Sequence, residues 1–171
     1  MYKRQVLNSV LALLQVEPIS WLFDTQWVLV AFILMGLWGV GDGMIIYLAG
    51  LQGIPTELYD AASIDGAPRM RRFWNITIPM MSPTLFFVLV TALIRTFQIF
   101  TTAFVMTRGG PNYATYFFSL NIYFTTFQSL RFGYASAIAW MMFCLIFALT
   151  LLLFRSAKWW VFYSGEKEDA A

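Results

Sequence analysis

The sequence contains no histidine and only one cysteine, Cys144. These absences exclude a disulfide within the chain, a metal site built from histidine and cysteine, and any histidine-dependent catalytic triad. Charged residues are also scarce, at 12% against 60% hydrophobic residues, and a soluble domain needs a larger polar fraction to cover its surface. The net charge of +2 is too small to indicate nucleic-acid binding. The composition therefore indicates a protein that resides in a lipid bilayer.

Three long apolar stretches predict transmembrane helices at residues 27–48, 85–106 and 134–154. Each has about the 20 residues that a helix needs to cross the hydrocarbon core. The runs lack the strict alternation of barrel strands, and a helix satisfies its backbone hydrogen bonds internally. We therefore predict an all-α membrane protein with three transmembrane helices. The first two spans each contain one charged residue, Asp42 and Arg95.

The distribution of basic residues around the spans predicts the orientation of the chain. Six lysines and arginines lie between the first two spans or after the third, against four on the other side. The excess predicts that the loop at 50–82 and the C-terminus face the cytoplasm. The six are Arg69, Arg71, Arg72, Arg155, Lys158 and Lys167, and the four are Lys3, Arg4, Arg108 and Arg131.

The spans divide the chain into three predicted regions. Residues 1–26 form an outer loop or interfacial segment whose start we expect to be truncated, 27–154 form the membrane core, and 155–171 form a cytoplasmic tail. The outer loop at 107–133 is rich in aromatic side chains, which predicts an amphipathic helix at the outer interface. The final SGEKEDAA is predicted to be disordered.

The stretch ELYDAASIDGAPRMRRFWNITIP, residues 57–79, is the most polar part of the chain between two spans. The glycine and prolines in and around this stretch predict two short helices. The first covers Glu57–Ile64 and ends at Gly66, because glycine readily adopts a positive φ. The second begins at Pro68 and continues to Ile78, and Pro79 either ends it or kinks it into the second span.

Spacing alone leaves two interpretations of this stretch. It is either a plain interfacial connection, which spacing alone favours, or a docking surface, for which its length and two-helix organisation argue. Glu57 and Asp60 lie at i and i+3 and so share one helical face, where they either face solvent or meet a basic patch on a partner.

Spacing also links the stretch to a known family. Its residues resemble the EAA motif of binding-protein-dependent ABC importer permeases, which reads Glu-Ala-Ala, three residues, Gly, nine residues, Ile, one residue, Leu-Pro. Every interval fits, with Asp in place of Glu and Ile in place of Leu. The segments VMTRGGPNYAT and FGYASAIAW are similar to the first permease subunit of sugar and glycerol-phosphate importers. The matching residues are Asp60, Ala61, Ala62, Gly66, Ile76, Ile78 and Pro79.

The resemblance implies a type I ABC importer permease fold, of which this chain is the C-terminal half. It implies that the loop at 50–82 is a coupling loop that docks in a cleft of an ATPase subunit. The sequence contains no Gly-Lys pair and hence no Walker A motif, so ATP would be bound by another chain and this one would be neither an enzyme nor a cofactor carrier. The implied coupling residues are Glu57, Asp60, Ala61, Ala62, Gly66, Ile76 and Pro79.

The family also implies the partners and location of the chain. The partners are a second permease subunit, two ATPase subunits and an extracytoplasmic solute-binding protein, in a bacterial-type plasma membrane. The transported solute would be a sugar or a related compound. In relatives that bind sugar in the permease, the lining comes from the spans on either side of the coupling loop. The corresponding positions here are Gly39, Val40, Gly43, Ala92, Arg95, Thr96 and Ile99.

A polar stripe in the second span independently indicates an interior-facing surface. Thr91, Arg95, Gln98 and Thr102 are spaced at i, i+4, i+7 and i+11, which places them on one face of a continuous helix. Ionisable groups within a membrane usually face other helices or a wet cavity. Arg95 departs from the family, which usually has uncharged residues at this position.

An ion- or proton-coupled secondary carrier that uses Asp42 and Arg95 is the alternative function. Such a carrier would not need a coupling loop, and proton relays usually have more acids or histidines within the spans. A direct pair between the two charges is disfavoured, because Asp42 is predicted to lie about 10 Å closer to the cytoplasm at ~1.5 Å of rise per residue.

Overall fold

The computed structural model describes residues 6–13, 15 and 17–162. Every regular element among these residues is helical. The predicted disordered tail and the basic residues Lys3, Arg4 and Lys167 lie outside the described part of the chain. The helices are α1 (Val6–Leu13), α2 (Val28–Trp38), α3 (Gly41–Gln52), α4 (Thr56–Ile64), α5 (Arg69–Arg72), α6 (Ile78–Phe97), α7 (Thr101–Met106), α8 (Phe118–Tyr123) and α9 (Phe132–Trp160).

The chain divides into two compact units. The first unit comprises residues 1–39 and 97–140, and the second comprises 40–96 and 141–171. The first therefore contains α1, α2, α7, α8 and the start of α9, and the second contains α3 to α6 and most of α9.

In the first unit, a small core forms around side chains with no solvent exposure: Val28, Ala103 and Leu120. The segment before α2 is held to α1 by the buried amide of Asn8. This amide donates to the Ile19 carbonyl at 2.9 Å and accepts from the indole N–H of Trp21 at 2.8 Å. Both ends of a buried polar side chain are thus satisfied, as burial requires.

In the second unit, α6 packs against α3 and α9. The ring of Phe86 makes edge contacts with Phe154 at 5.0 Å and Trp160 at 5.9 Å between ring centroids. A Cβ placed on Gly50 of α3 would lie only 2.7 Å from the hydroxyl oxygen of Thr84 in α6. Glycine therefore allows α3 and α6 to approach closely, as small residues do between membrane helices.

The first predicted span is not one continuous helix. Helix α2 ends at Trp38 and α3 begins at Gly41, so the prediction of an uninterrupted helix over 27–48 is wrong. Four glycines fall within residues 36–43, and glycine is the poorest helix former apart from proline. The two pieces are long and apolar enough to cross a membrane only when they are counted together as a broken span.

The second predicted span has different ends. Helical structure already starts at Arg69, continues through a π-helical turn at Phe73–Thr77 and then through α6, and the chain leaves the helix at 98–100 before α7. Helix α6 ends where the carbonyl of Phe97 accepts a hydrogen bond from the Ser119 hydroxyl at 3.2 Å. The predicted span at 85–106 is confirmed as part of the region 69–106, which is long and apolar enough to cross a membrane, but its helix begins before residue 85 and is broken at 98–100.

The third predicted span is confirmed. Helix α9 covers 29 residues, includes all of 134–154 and is long and apolar enough to cross a membrane. Many of its large apolar side chains, such as Trp140, Leu152 and Phe154, are more than half exposed in the isolated chain. Exposed apolar side chains along a helix of this length are what contact with lipid or other helices requires.

The outer loop contains less helix than its sequence predicts. Helix α8 is followed by a π-helical turn at Phe124–Gln128, and the part of the loop before α8 is a compact turn structure. The turn is tied by the fully buried Thr115, whose hydroxyl lies 2.6 Å from that of Thr107 and donates to the Gly110 carbonyl at 2.8 Å. Burial raises the pKa of the adjacent Tyr116, so this phenol stays neutral at physiological pH.

Candidate functional site

Helix α4 lies at the surface of the second unit. It covers Thr56–Ile64 with Glu57 in its first turn, which confirms the predicted first short helix and the acid placed near its N-terminus. All nine residues of α4 are described, and none is buried. Ile64 is 88% exposed, and the acids Glu57 and Asp60 are exposed as well. The helix therefore presents both apolar and acidic side chains that its own unit leaves exposed.

The turn after α4 is a Schellman motif centred on Gly66. The N–H of Gly66 donates to the Ser63 carbonyl at 3.1 Å, and the N–H of Ala67 donates to the Ala62 carbonyl at 2.9 Å. Gly66 has φ +69°, which confirms the positive φ predicted there. No described atom lies within 4 Å of a Cβ placed on Gly66. Glycine is thus required at this position by backbone conformation and not by lack of space.

The second half of the stretch is one helical segment with a π turn in it. Pro68 is the residue before α5 rather than its first helical residue, one position from the prediction. Pro79 does not end the helix, because it is the second residue of α6. The N–H of Ile78 donates to the Phe73 carbonyl, which is five residues back. This wider turn gives room for the proline ring, which in a regular α-helix would clash with the carbonyl four residues before it.

Side-chain hydrogen bonds tie α4 to the helical segment that follows. The hydroxyls of Tyr59 and Thr77 lie 2.8 Å apart. The guanidinium of Arg72 donates from Nε to the Ala67 carbonyl at 2.9 Å and from Nη1 to the Ser63 hydroxyl at 2.6 Å. The Ser63 hydroxyl in turn donates to the Tyr59 carbonyl at 2.8 Å. We call residues 56–79, with these bonds, the hairpin.

A second proline, Pro83, lies inside α6 shortly after the end of the hairpin. Pro83 lacks an N–H, so the Pro79 carbonyl loses its regular helical donor. The buried Ser82 hydroxyl replaces that donor at 2.6 Å. The same oxygen accepts the N–H of Phe162, just beyond α9, at 2.8 Å. The base of α6 is thereby joined to the chain that follows α9.

The residues implied for a substrate path fall in both units. Five belong to the second unit: Val40 and Gly43 come from α3 and the turn before it, and Ala92, Arg95 and Thr96 come from α6. Arg95 is exposed and makes no hydrogen bond or ion pair within the described part of the chain. The side chain of Asp42 lies outside what the structure describes, so the expectation that it does not pair directly with Arg95 remains a prediction.

The other two path residues, Gly39 and Ile99, belong to the first unit. Ile99 lines an apolar cavity of about 550 Å³ together with Phe32 and Gly36 of α2 and Phe117. The predicted polar stripe is not continuous, because Gln98 and Thr102 lie beyond the end of α6. No group of three or more acids, cysteines or histidines that could hold a metal occurs among the described residues.

Comparison with known proteins identifies the family. The family model for the binding-protein-dependent transport system inner membrane component matches residues 6–161. The chain belongs to this family. This permease-family chain is therefore an integral inner-membrane protein, and its family is one of membrane components rather than of enzymes.

Individual relatives agree with this assignment. The chain is 38% identical over 166 residues to the probable ABC transporter permease protein YesP of Bacillus subtilis, covering 95% of this chain and 54% of YesP. It is 37% identical over 155 residues to the sulfoquinovosyl glycerol transport system permease protein SmoG of Agrobacterium fabrum, covering 90% and 50%. The permease-family chain thus spans about half the length of the curated relatives it matches.

A solved structure shares the fold. It is a bacterial alginate ABC transporter in complex with an alginate pentasaccharide-bound periplasmic protein, and the match has a TM-score of 0.79. The match covers 89% of this chain and 54% of the other, at 24% sequence identity. The all-α, type I importer-like fold predicted from the sequence is therefore confirmed.

Several residues that organise the hairpin escape sequence reasoning. Tyr59, Ser63 and Arg72 are not among the motif residues, and the bonds of Tyr59 to Thr77 and of Arg72 to Ser63 form only when α4 lies beside the helical segment that follows it. Ser82 is similarly inconspicuous, although one local signal existed: it immediately precedes Pro83, where a helix needs a replacement donor. The sequence carries no comparable signal for the contact with Phe162.

Proposed function

We propose that this chain forms part of the permease subunit of an ABC importer for a sugar or related solute. Membership of the inner-membrane-component family supports this proposal, as do relatives named for sulfoquinovosyl glycerol and lactose transport. Family membership also favours the importer over the ion-coupled carrier, which would not need the hairpin. The chain would act with a second permease subunit, two ATPase subunits that bind ATP, and an extracytoplasmic solute-binding protein.

The observation that supports the coupling role is that no residue of α4 is buried. A nine-residue helix with exposed Leu58 and Ile64 and two exposed acids has the chemistry of a surface completed by a partner. We infer that α4 docks on an ATPase subunit in the cytoplasm. The small residues Ala61 and Ala62 let the partner come close, and the Gly66 turn sets the angle between α4 and α5. Ile76 and Pro79 lie in the last part of the hairpin, where the π turn continues into α6.

The substrate path is a second part of the proposal. Arg95 is an exposed cation on a helix that is apolar enough to lie in a membrane, and such a group is stable there only beside polar groups or water. We infer that Arg95 faces the solute pathway together with Ala92 and Thr96. Gly39, Val40, Gly43 and Ile99 are proposed for the same pathway from the family pattern.

Site-directed cross-linking tests the docking of α4. Cys144, the one cysteine of this sequence, is first replaced with alanine, together with any cysteine that the permease carries outside this sequence, so that an introduced cysteine is the only one in the permease. Ala61→Cys on α4 should cross-link to the ATPase subunit in membranes that contain the assembled transporter. Gln128→Cys is the matched control, because Gln128 is also exposed but lies in the loop at 107–133, which we propose to be on the outer side of the membrane. A cross-link from Gln128→Cys and none from Ala61→Cys would reject both the docking and the orientation.

A further inference from the structure

The contact between Tyr59 and Thr77 joins two parts of the hairpin that are 18 residues apart. Tyr59 is half-buried on α4, and Thr77 is buried at the last position of the π turn. Their hydroxyls lie 2.8 Å apart, within the range of a good O–H···O hydrogen bond. Thr77 is followed directly by α6, so this bond connects α4 to the start of the long helix.

Arg72 makes the second connection. Its two donors reach the Ala67 carbonyl in the turn and the Ser63 hydroxyl on α4. The planar guanidinium holds these donors in a fixed fork, so the bonds fix the direction of α5 relative to the end of α4. Bonds to a charged donor are stronger than neutral ones.

These polar contacts matter because packing does little to hold α4 in place. None of the nine residues of α4 is buried, so the helix lacks the apolar anchor that usually orients a surface helix. Apart from the backbone of the turn at Gly66, the side-chain hydrogen bonds described between α4 and the following segment are those of Tyr59 and Arg72. The angle between α4 and the start of α6 therefore depends on these bonds.

We propose that Tyr59, Thr77 and Arg72 are positioning residues that make α4 and the start of α6 move as one body. This inference rests on the proposed function, in which α4 receives motion from an ATPase. With the bonds intact, a displacement of α4 reaches α6 without being absorbed at the turn. Without them, α4 can stay docked while it pivots about Gly66, so ATP is hydrolysed but less solute is moved.

The test compares solute uptake per ATP hydrolysed in proteoliposomes that contain the complete transporter. Tyr59→Phe and Thr77→Val remove one hydroxyl each with little change in shape. Each should lower the uptake ratio about fivefold, the factor that one net intramolecular hydrogen bond is worth. The double variant should be no worse than either single variant, because both remove the same bond. Thr77→Ser, which keeps the hydroxyl, should give the same uptake ratio as the unaltered protein.

Arg72 has a matched control in the neighbouring residue. Arg71 lies in the same short helix and is exposed, and its side chain makes no hydrogen bond to another described residue. Arg72→Gln should lower the uptake ratio, whereas Arg71→Gln, with the same loss of charge, should not. Equal effects of the two variants would overturn the role of Arg72. Unchanged ratios in both Tyr59→Phe and Thr77→Val, or additive losses in the double variant, would overturn the role of their bond.

Cross-linking separates this inference from the proposed function. Each variant is combined with Ala61→Cys, and the yield of the cross-link to the ATPase subunit is measured. A preserved cross-link with a lowered uptake ratio supports the positioning role. A preserved cross-link with an unchanged ratio overturns the positioning role but leaves docking intact. If Ala61→Cys alone gives no cross-link, the proposed function itself fails, and the positioning role fails with it.

Discussion

Substitution of Gly66 tests whether the turn of the hairpin is set by backbone conformation. The φ of +69° costs a residue with a side chain about 1–2 kcal/mol, and a β-branched residue more. Asparagine adopts this conformation more readily than other residues with side chains. Because no described atom lies within 4 Å of the added Cβ, size alone should have no effect. We therefore expect uptake per ATP to fall in the order Gly, Asn, Ala, Val.

The comparison of Gly66→Asn with Gly66→Ala is decisive, since asparagine is larger but tolerates a positive φ better. At ~1.4 kcal/mol per tenfold change, a cost of 1–2 kcal/mol lowers the population of the native turn by about 5- to 30-fold relative to the alternatives. The assay is uptake of labelled solute and phosphate release in the same proteoliposomes, with assembly checked by co-purification of the ATPase subunit. If Gly66→Asn is worse than Gly66→Ala, steric space and not conformation governs the turn. If Gly66→Val leaves the uptake ratio unchanged, the turn has no part in coupling.

Two further substitutions test packing and the pathway. Gly50→Ala places a methyl group 2.7 Å from the Thr84 hydroxyl oxygen, so we expect a loss of about 1–3 kcal/mol and a lower unfolding temperature in detergent, partly recovered by Thr84→Ala. Gly41→Ala is the control because its Cβ would enter open space, and equal losses at both glycines would contradict the close approach of α3 to α6. Arg95→Ala should change the apparent affinity or selectivity for solute more than the amount of protein in the membrane. A fall in protein amount alone would make Arg95 a structural residue.

Features that depend on local chemistry were predictable from the sequence. The bounds of α4 and the left-handed Gly66 follow from a proline, an acid and an Asp-Gly pair within one short stretch, and α9 follows from an uninterrupted apolar run. The ends of the second span were not predictable in this way. Helix α6 ends at Phe97, whose carbonyl accepts a hydrogen bond from Ser119. It contains two prolines, which a π turn and the Ser82 hydroxyl accommodate. Hydropathy measures none of these interactions, since Ser119 is 22 residues from its partner and the other bonds depend on the geometry of single turns.

The same limit applies to the candidate site. Motif spacing selects residues that we propose to face a partner, such as Asp60 and Ala61, because a resemblance reports positions. It cannot select Tyr59 or Arg72, whose importance lies in which atoms they reach. The continuous polar stripe failed for a related reason: helical spacing was extended past Phe97, where the helix ends.

The hydrogen bond from Phe162 to Ser82 has a consequence for the order in which the chain matures. These residues are 80 positions apart, so during synthesis α6 emerges long before its partner exists. Until Phe162 arrives, the Ser82 hydroxyl can still donate to Pro79, but its oxygen lacks the backbone donor that it accepts in the finished protein. The start of α6 therefore reaches its final hydrogen bonding only when the last turn of α9 has formed and has packed against Phe86. Completion of the hydrogen bonds at the start of α6 is a late step in the maturation of this chain.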